Sequence, residues 1–261
     1  DAELAAKIRT EKKHGRTRGS ARRTGDGNRS RGASRDVPPD IRKNGIPMVG
    51  KYKLIEDRTP WIGAEKPEVI LVEFSDYECP FCKRAHLNVK KAFRKYQDRM
   101  RLYHRHFPLD HHCNRIVTRP YHPNSCHAAK AAICAREQGK FWEMDHQLFL
   151  HKNSHRGEAL LALAKKVGLK LGPFQKCMDN KEILSEVQKD IEVALALKAK
   201  GTPMFVFYGP HLDRVTVNGL INVKLFDRLF EKLDEAKARA AKSRKSSATQ
   251  SDSTTDAQGK P

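Results

Sequence analysis

The chain has 261 residues, of which 38% are hydrophobic and 31% charged, and its formal net charge is +20 at pH 7. That length allows one or two domains, but apolar residues are nearly absent from residues 7–43 and from residue 242 onward, which excludes a packed core at either end. No apolar run reaches 18 residues, so the sequence excludes a transmembrane helix, and the start at Asp1 is compatible with a processed chain that has lost a targeting segment.

Residues 1–45 are predicted to form a disordered basic tail and linker. Such a charge brings anionic partners into consideration, among them nucleic acid, phospholipid head groups and acidic wall polymers. The tail holds no aromatic residue to stack on bases and no folded motif to present its arginines. We therefore expect a solvated arm that makes weak polyanion contacts and has no specific nucleic-acid partner.

In chain order, the folded part is predicted to begin with a short strand over residues 48–55, followed by a loop over residues 57–67 that is rich in proline and glycine. An apolar strand over residues 69–74 comes next, and residues 83–96 have the spacing of a helix. Between this strand and this helix lie two cysteines, Cys79 and Cys82. A strand, paired cysteines and a helix together indicate a redox centre.

Two cysteines three positions apart at a helix start can cycle between dithiol and disulfide. The free N–H groups and the dipole of the helix favour a thiolate on the first cysteine. Cys79 is therefore the candidate nucleophile and Cys82 the resolving thiol. No cofactor is expected beyond their own redox-active disulfide.

The same C-x-x-C spacing also occurs in zinc sites. Zinc usually recruits a second close pair of ligands, and the sequence has no second C-x-x-C. His104, His106, His111 and His112 could complete such a site, but solvated or structural roles are the favoured interpretation for them. Pro80 between the cysteines fits redox chemistry better, and no metal is expected.

Beyond the first helix, residues 101–109 alternate in polarity and predict a second strand, joined to the first by a parallel crossover. An irregular segment over residues 109–122 then begins an insertion. Its predicted helices cover residues 125–138, 141–151, 157–167, 173–178 and 181–200. Gly201-Thr202-Pro203 ends the insertion. The remaining predicted elements are strands at residues 204–208 and 215–217, a helix over residues 223–241 and a disordered tail over residues 242–261.

Four segments in this order carry a family resemblance: FSDYECPFC (residues 74–82), HFPLD (106–110), EQGKFWEMDHQLF (137–149) and GTPMFVFYG (201–209). Over roughly residues 52–233 the chain resembles DsbA-like thiol-disulfide oxidoreductases, which elaborate the thioredoxin fold. The resemblance implies an α/β protein with a thioredoxin-like fold over residues 46–241. It also implies an inserted helical domain at about residues 114–200, a disordered basic N-terminal tail and a short C-terminal tail.

The resemblance further implies roles for single residues. Cys79 is expected to attack and form a mixed disulfide with the substrate, and Cys82 to resolve it. Pro203 matches the family's cis-proline, which packs against the cysteines and lines the substrate groove, and a cis X-Pro bond is uncommon enough to be a sharp check. Thr202 would offer backbone hydrogen bonds to an extended substrate.

Glu73 stands where relatives keep a buried acid behind the cysteines. A buried carboxyl group with a raised pKa can exchange a proton with Cys82 during resolution, and we assign this role to Glu73. The alternative is an outward-facing strand residue with no part in the chemistry.

The motif departs from the family between its cysteines. Strongly oxidising members have His at the position of Phe81, where a cationic ring stabilises the thiolate. Phe81 gives no such stabilisation, and Glu78 opposes the negative charge. Cys79 is therefore expected to be less acidic and the protein a milder oxidant, with Pro80 and Phe81 themselves in contact with the substrate.

Six cysteines, an even count with one pair in the motif, indicate an oxidising compartment outside the cytosol. The other four allow three pairings, and the sequence alone does not select one. We expect Cys113 to pair with Cys126 across a turn-rich segment, and Cys134 with Cys177 between two helices, a pair that some relatives support. The alternative is that one pair remains as buried free thiols.

The predicted function is oxidation of dithiols in unfolded or reduced exported proteins. We expect a monomer in the periplasm or another extracytoplasmic space, a membrane or soluble partner that recycles the site, and an exposed, reducible Cys79. Two alternatives stay open: a reductase or isomerase on the same fold, and a non-enzymatic polyanion-binding module, which an inert, buried Cys79–Cys82 disulfide would favour. A membrane tether outside this sequence also stays open.

Overall fold

The computed structural model of the protein describes residues 47–252. The predicted tail over residues 1–45 lies outside the described residues, as do residues 253–261. The described part mixes a central sheet with helices, which confirms the α/β class.

The described chain opens with a small hairpin, in which β1 (Met48–Val49) pairs antiparallel with β2 (Tyr52–Lys53). The single strand predicted for residues 48–55 is wrong, because Gly50 turns the chain with a positive φ of 59°. Leu54 and Ile55 follow the hairpin and are buried, so they fix it to the core.

Five further strands form the main sheet. They are β3 (Trp61–Gly63), β4 (Val69–Ser75), β5 (Met100–His106), β6 (Met204–Gly209) and β7 (Leu212–Asn218), in the order β3-β5-β4-β6-β7. β4 pairs parallel with β5, which confirms the predicted crossover, and antiparallel with β6. All seven residues of β4 are buried, because both faces of the sheet are covered. The strand therefore keeps two polar side chains, Glu73 and Ser75, away from water.

β3 forms the edge of the sheet beside β5, where the sequence analysis placed a loop. That prediction is wrong. β3 has three residues and lies in a segment bounded by Pro60 and Pro67, and three residues are too few to show the alternation of a strand. Gly63 makes the pairing possible, since it has a φ of +116° and a Cβ there would lie 2.2 Å from the carbonyl oxygen of Met100.

Seven helices lie within residues 47–252. They are α1 (Pro80–Tyr96), α2 (Ser125–Glu137), α3 (Phe141–Leu150), α4 (Gly157–Lys166), α5 (Leu171–Asp179), α6 (Lys181–Ala196) and α7 (Val223–Asp252). The five helices from α2 to α6 form the insertion between β5 and β6. Ile70, Val72 and Phe74 of β4 share a core with this insertion, whereas Val69 and Leu71 share a second core with α1 and α7. The central strand is thus buried between two apolar layers.

The last helix is longer than the sequence analysis predicted. α7 continues through Asp252, so the assignment of residues 242–252 to a disordered tail is wrong. The prediction ended the helix where apolar residues end. Residues 236–245 are rich in Ala, Lys and Arg, which have high helix propensity and extend a helix without an apolar face.

Candidate active site

Cys79 and Cys82 lie at the start of α1. Cys79 precedes the helix as its N-cap residue, Pro80 is the first helical residue, and Cys82 lies in the first turn. Proline suits that first position because its missing N–H would have no partner within the helix. Both cysteines are free thiols, with 5% of Cys79 and none of Cys82 exposed. Cys79 is thus the more accessible of the two.

The enzyme hypothesis expected an exposed Cys79, but only 5% of the residue is exposed. The expectation of an exposed thiol is therefore wrong. The loop before β6 covers the thiol, which donates a hydrogen bond of 3.6 Å to the carbonyl oxygen of Thr202. The peptide bond between Thr202 and Pro203 is cis, as the resemblance implied. Pro203 is buried, and its carbonyl oxygen accepts a 2.8 Å hydrogen bond from the N–H of Gly219. The structure therefore brings Thr202 and Pro203 against Cys79.

The two thiols differ in acidity. The pKa of Cys79 is lowered to about 6, first by its hydrogen bond with the Cys82 side chain; burial opposes this, and the N–H groups of Cys82 and Phe81 add to the lowering. The pKa of Cys82 is raised well above its ordinary value by burial and by the neighbouring Cys79 sulfur. Above pH 6 the thiolate form of Cys79 predominates, and only its thiol form donates the hydrogen bond to Thr202, whereas Cys82 stays a thiol.

Glu73 lies in β4 with 2% of its surface exposed, so the alternative of an outward-facing residue is wrong. Its register partners are His104 in β5 and Phe205 in β6. Burial raises the pKa of Glu73 to about 7, although the Ser75 side chain lowers it. Within the described residues Ser75 Oγ makes no hydrogen bond of normal length, yet it is near enough to Glu73 and Cys82 to lower the pKa of both.

Sequence reasoning missed the residue that holds the loop before Cys79. Asp76 accepts hydrogen bonds from the backbone N–H of Glu78 at 2.7 Å, from that of Leu109 at 2.6 Å and from Nδ1 of His122 at 2.9 Å. Burial lowers the pKa of His122, but Asp76 outweighs this and the pKa is raised. The available signal was an acidic residue directly after a strand that is mostly apolar, a position where a carboxylate needs buried partners.

The Glu78 carboxylate, expected to oppose the thiolate, is buried and lies at the start of α2. It accepts hydrogen bonds from the backbone N–H of Asn124 at 2.8 Å and from its side-chain amide at 3.4 Å. His155 Nδ1 lies 3.9 Å away. The helix N-terminus therefore stabilises the charge of Glu78.

Pro80 and Phe81 are exposed beside the cysteines, and half of the Phe81 surface is open to solvent. The guanidinium group of Arg84 lies 4.6 Å from the centre of the Phe81 ring, within the range of a cation–π contact. The surface next to Cys79 is thus apolar with a positive charge at its side.

Both predicted disulfides are present, and the alternative of a buried free pair among these four cysteines is wrong. Cys113 is bonded to Cys126 and Cys134 to Cys177, with Cα–Cα distances of 6.1 and 5.7 Å. The first joins the segment after β5 to the start of α2. The second joins α2 to α5, so both fix the helical insertion.

The four histidines considered as zinc ligands divide into two pairs. His104 and His106 are buried in β5, and burial lowers the pKa of each. His111 and His112 are exposed and lie with Asp110 in a group whose possible ligand atoms are within 4.8 Å of one another. In the described part of the chain no group able to hold a metal includes Cys79 or Cys82, so the zinc alternative has no support from this arrangement.

Comparison with known proteins agrees with the fold. A family model described as thioredoxin matches residues 56–221, and the chain therefore belongs to the thioredoxin family. A thioredoxin-like oxidoreductase from Silicibacter pomeroyi DSS-3 is 27% identical, with a TM-score of 0.52 over 70% of this chain and 94% of its own. The structure of alpha-DsbA1 from Wolbachia pipientis is 23% identical, with a TM-score of 0.56 over 69% of this chain and 93% of its own. These likenesses confirm the predicted thioredoxin-like fold.

The chain also resembles part of a longer protein, the Na(+)/H(+) antiporter NhaA 3 of Salinispora tropica, with 32% identity over 153 residues. The match covers 59% of this chain and 22% of the antiporter, so the chain spans about a fifth of the length of the curated relatives it matches. None of the helices in residues 47–252 is long and apolar enough to cross a membrane. Antiport is stated of those proteins and is not carried over to this chain.

Proposed function

We propose that this chain is a thiol-disulfide oxidoreductase that oxidises dithiols of exported proteins through Cys79 and Cys82. The observation that carries the proposal is the contrast between two neighbouring thiols at one helix start. Cys79 has a pKa of about 6, whereas the pKa of Cys82 is raised well above its ordinary value. The likeness to a thioredoxin-like oxidoreductase supports the same reaction class.

The reaction starts from the Cys79–Cys82 disulfide. A substrate thiolate attacks the Cys79 sulfur, a mixed disulfide forms, and Cys82 leaves as a thiolate that takes up a proton. The second substrate thiolate then attacks the substrate sulfur of the mixed disulfide, and Cys79 leaves as a thiolate. The substrate loses two electrons and the cysteine pair gains them. Because a low pKa makes Cys79 a good leaving group, the exchange favours transfer of the disulfide to the substrate.

Attack of Cys82 on Cys79 is the competing step, in which Cys82 resolves the mixed disulfide and restores the original pair. In both directions Cys82 must exchange a proton while it is buried. Glu73 supplies or accepts this proton, since its pKa of about 7 lets it do either near neutral pH.

The substrate is proposed to bind as an extended segment across the surface around Cys79. Thr202 and Pro203 cover one side of Cys79, while Pro80 and Phe81 offer an exposed surface on the other. The backbone of Thr202 would hydrogen-bond an extended chain that approaches the Cys79 sulfur.

The setting proposed is the periplasm or another extracytoplasmic space, with unfolded or reduced exported proteins as clients. The two structural disulfides support an oxidising compartment. A membrane or soluble partner would reoxidise the pair, and the basic tail would add weak polyanion contacts to a monomeric enzyme.

Replacing Cys82 by Ser tests the proposal. Without the resolving thiol, Cys79 should stay joined to clients, and nonreducing gels of extracts from cells that export the variant should show covalent complexes that disappear on reduction. Cys79→Ser is the matched control, since it should form no complexes and should not oxidise a peptide dithiol. Full oxidase activity in Cys79→Ser would overturn the proposal.

The redox equilibrium of Cys79 and Cys82 with glutathione separates the oxidase from a reductase or isomerase. An oxidant requires a potential well above the value of about −270 mV known for thioredoxin, and a value near that figure would favour the reductase. A pair that glutathione never reduces would favour the non-enzymatic binding module.

A further inference from the structure

Behind the cysteines, titratable side chains form a connected group next to Glu73. The hydroxyl of Tyr77 donates a 3.0 Å hydrogen bond to Oδ1 of Asp145, and Nδ1 of His104 lies 3.4 Å from the same oxygen. The Tyr77 and His104 rings are stacked with centres 5.6 Å apart. Tyr77, His104 and Asp145 are all buried.

Asp145 is also the inner end of a line of histidines that reaches the surface. Its Oδ2 lies 3.6 Å from Nδ1 of His86, whose Nε2 lies 3.0 Å from Nδ1 of His146. Nε2 of His146 lies 3.4 Å from Nζ of Lys90. Asp145 is 1% exposed, whereas His86, His146 and Lys90 are all partly exposed. We call Asp145, His86 and His146 the histidine path.

Glu73 adjoins the inner end of this path. It is paired in register with His104, and paired residues of neighbouring strands lie about 4.8 Å apart with their side chains on the same face. On its other side, Ser75 lies close to both Glu73 and Cys82. Polar groups therefore lie in order from Cys82 through Ser75 and Glu73 to His104 and Asp145, although Oγ of Ser75 and Oε1 of Glu73 make no hydrogen bond among the described residues. Glu73 is near enough to Asp145 to raise its pKa.

We propose that the histidine path carries the proton that Glu73 exchanges with Cys82 to and from the protein surface. The inference rests on the proposed function. When Cys82 leaves as a thiolate, Glu73 gives it a proton and becomes a carboxylate; His104 and Asp145 return a proton to Glu73, and His86 and His146 replace it from solvent. When Cys82 attacks, the same transfers run outward. No electrons pass along the path, and its residues act through Glu73 without touching the reacting sulfurs.

The charges around the path suit this role. Burial lowers the pKa of His86 to about 3, and burial and Lys90 lower that of His146 to about 4, so both rings are neutral at pH 7. A neutral imidazole passes a proton by accepting one at one nitrogen while losing one from the other. Burial and Glu73 raise the pKa of Asp145, so it can hold a proton. The other groups that face the path are Glu73 from β4, Tyr77 from the following loop, His104 from β5, Lys90 and Arg94 from α1 and His151 after α3.

A second route to solvent would run through a cavity of about 580 Å3 between β5 and α6. His104 and His106 lie in its wall, and Nδ1 of His106 is buried without a hydrogen-bond partner among the described residues. The nitrogens of His104 face Tyr77 and Asp145 instead, since Nε2 lies 3.5 Å from the Tyr77 hydroxyl and Nδ1 lies 3.4 Å from Oδ1 of Asp145. The contacts therefore favour the histidine path over the cavity.

The test measures how fast the oxidised protein reacts with excess peptide dithiol in weakly buffered solution at pH 7, by rapid mixing and alkylation of the new thiols. His146→Ala should slow the reaction about tenfold, and added imidazole should restore the rate, since a small base can replace the missing ring. Asp145→Asn, which keeps the shape and the hydrogen bond from Tyr77, should slow it as much, with no rescue. His127→Ala, at a partly exposed histidine of α2 outside the path, should react like the unchanged protein.

The outcomes separate the path from the function it serves. If the unchanged protein reacts while His146→Ala matches it, the path is wrong and the oxidase proposal stands. A loss in His146→Ala that imidazole does not restore, or an equal loss in His127→Ala, would mean a structural role and would also overturn the path. If His106→Gln slows the reaction while His146→Ala and Asp145→Asn do not, the proton leaves through the cavity, and the histidine path is wrong. If the unchanged protein does not react, the proposed function fails and the path fails with it.

Discussion

Cys79 and Cys82 carry the same side chain but differ in acidity because of where α1 places them. Cys79 stands before the first turn, where helix N–H groups are free to stabilise a thiolate, whereas Cys82 is wholly buried inside the turn. The C-x-x-C spacing was enough to predict which of the two thiols is the more acidic. It could not supply the contact with Thr202, which lies 123 positions further along the chain.

Replacing Phe81 by His should make Cys79 more acidic. A cationic imidazole next to the thiolate should lower its pKa from about 6 by roughly one unit, and the glutathione equilibrium should shift toward the dithiol. The pH dependence of the thiolate's ultraviolet absorbance measures the first effect. Phe81→Leu controls for the loss of the ring, and an equal shift in both variants would show that the charge is not responsible.

Glu73→Gln should flatten the pH dependence of stability. Glu73 has a pKa of about 7 in the folded protein against an ordinary value of 4.5, so between these values the folded chain holds a proton that the unfolded chain has lost. Stability therefore falls as pH rises through this window, by about 1.4 kcal/mol per unit and roughly 3 kcal/mol in all. Gln cannot ionise, so the variant's stability relative to the unchanged protein should rise by that amount between pH 4.5 and pH 7.

Urea unfolding at pH 5 and pH 8 measures this difference. Asp145, whose pKa is also raised, mainly by burial, contributes to the pH dependence of both proteins; removing the Glu73 charge lowers that contribution in the variant, in the same direction as the expected change. A stability difference that is the same at both pH values would show that Glu73 does not titrate in the folded state as described.

At the scale of helices and strands, long periodic segments were predicted well and short strands were not. α3 and α4 each end one residue before the predicted end, and Gly168, which has a positive φ, follows α4 as a stop signal that is visible in the sequence. β3 was missed because three residues cannot show a period, and its pairing partner in β5 lies about forty residues away. Asp76 was missed for a related reason, since its partner His122 is also distant in the sequence.

The disulfide between α2 and α5 should stabilise the helical insertion more than the other does. Cys134 and Cys177 close a loop of 43 residues, and Cys113 and Cys126 one of 13. Loop-closure entropy assigns about 4 kcal/mol to the first and about 3 kcal/mol to the second. Urea unfolding of the two paired Cys→Ala variants should rank them in this order, with the active-site thiols unchanged in both. A larger loss from the shorter loop would point to native contacts near Cys113 as the main contribution.

At the scale of the whole molecule, the two faces of the sheet bury different polar groups. One face buries Val72 and Phe74 with Arg105, whose guanidinium group is paired with Asp190 of α6. The other face buries Glu73 and His104. Alternation along β4 follows from the pleat of a strand, but a strand with seven buried residues gives no sign of which side is polar. The resemblance located Glu73, whereas the line of His86 and His146 that ends at Asp145 became visible only in the fold.

The basic tail contributes to the net charge of +20 of the whole molecule. Its removal should weaken binding to anionic surfaces without changing the rate of dithiol oxidation. Deleting residues 7–43 should leave oxidation of a small peptide dithiol unchanged, because Cys79, Thr202 and Glu73 all lie in the described fold. Adsorption to anionic vesicles should weaken, and its dependence on salt should fall, since fewer charges meet the surface. A tail of equal length with its arginines replaced by Gln separates the effect of charge from that of length. If the deletion sharply reduces turnover of the small peptide, the tail takes part in the active site, and its description as a solvated arm is wrong.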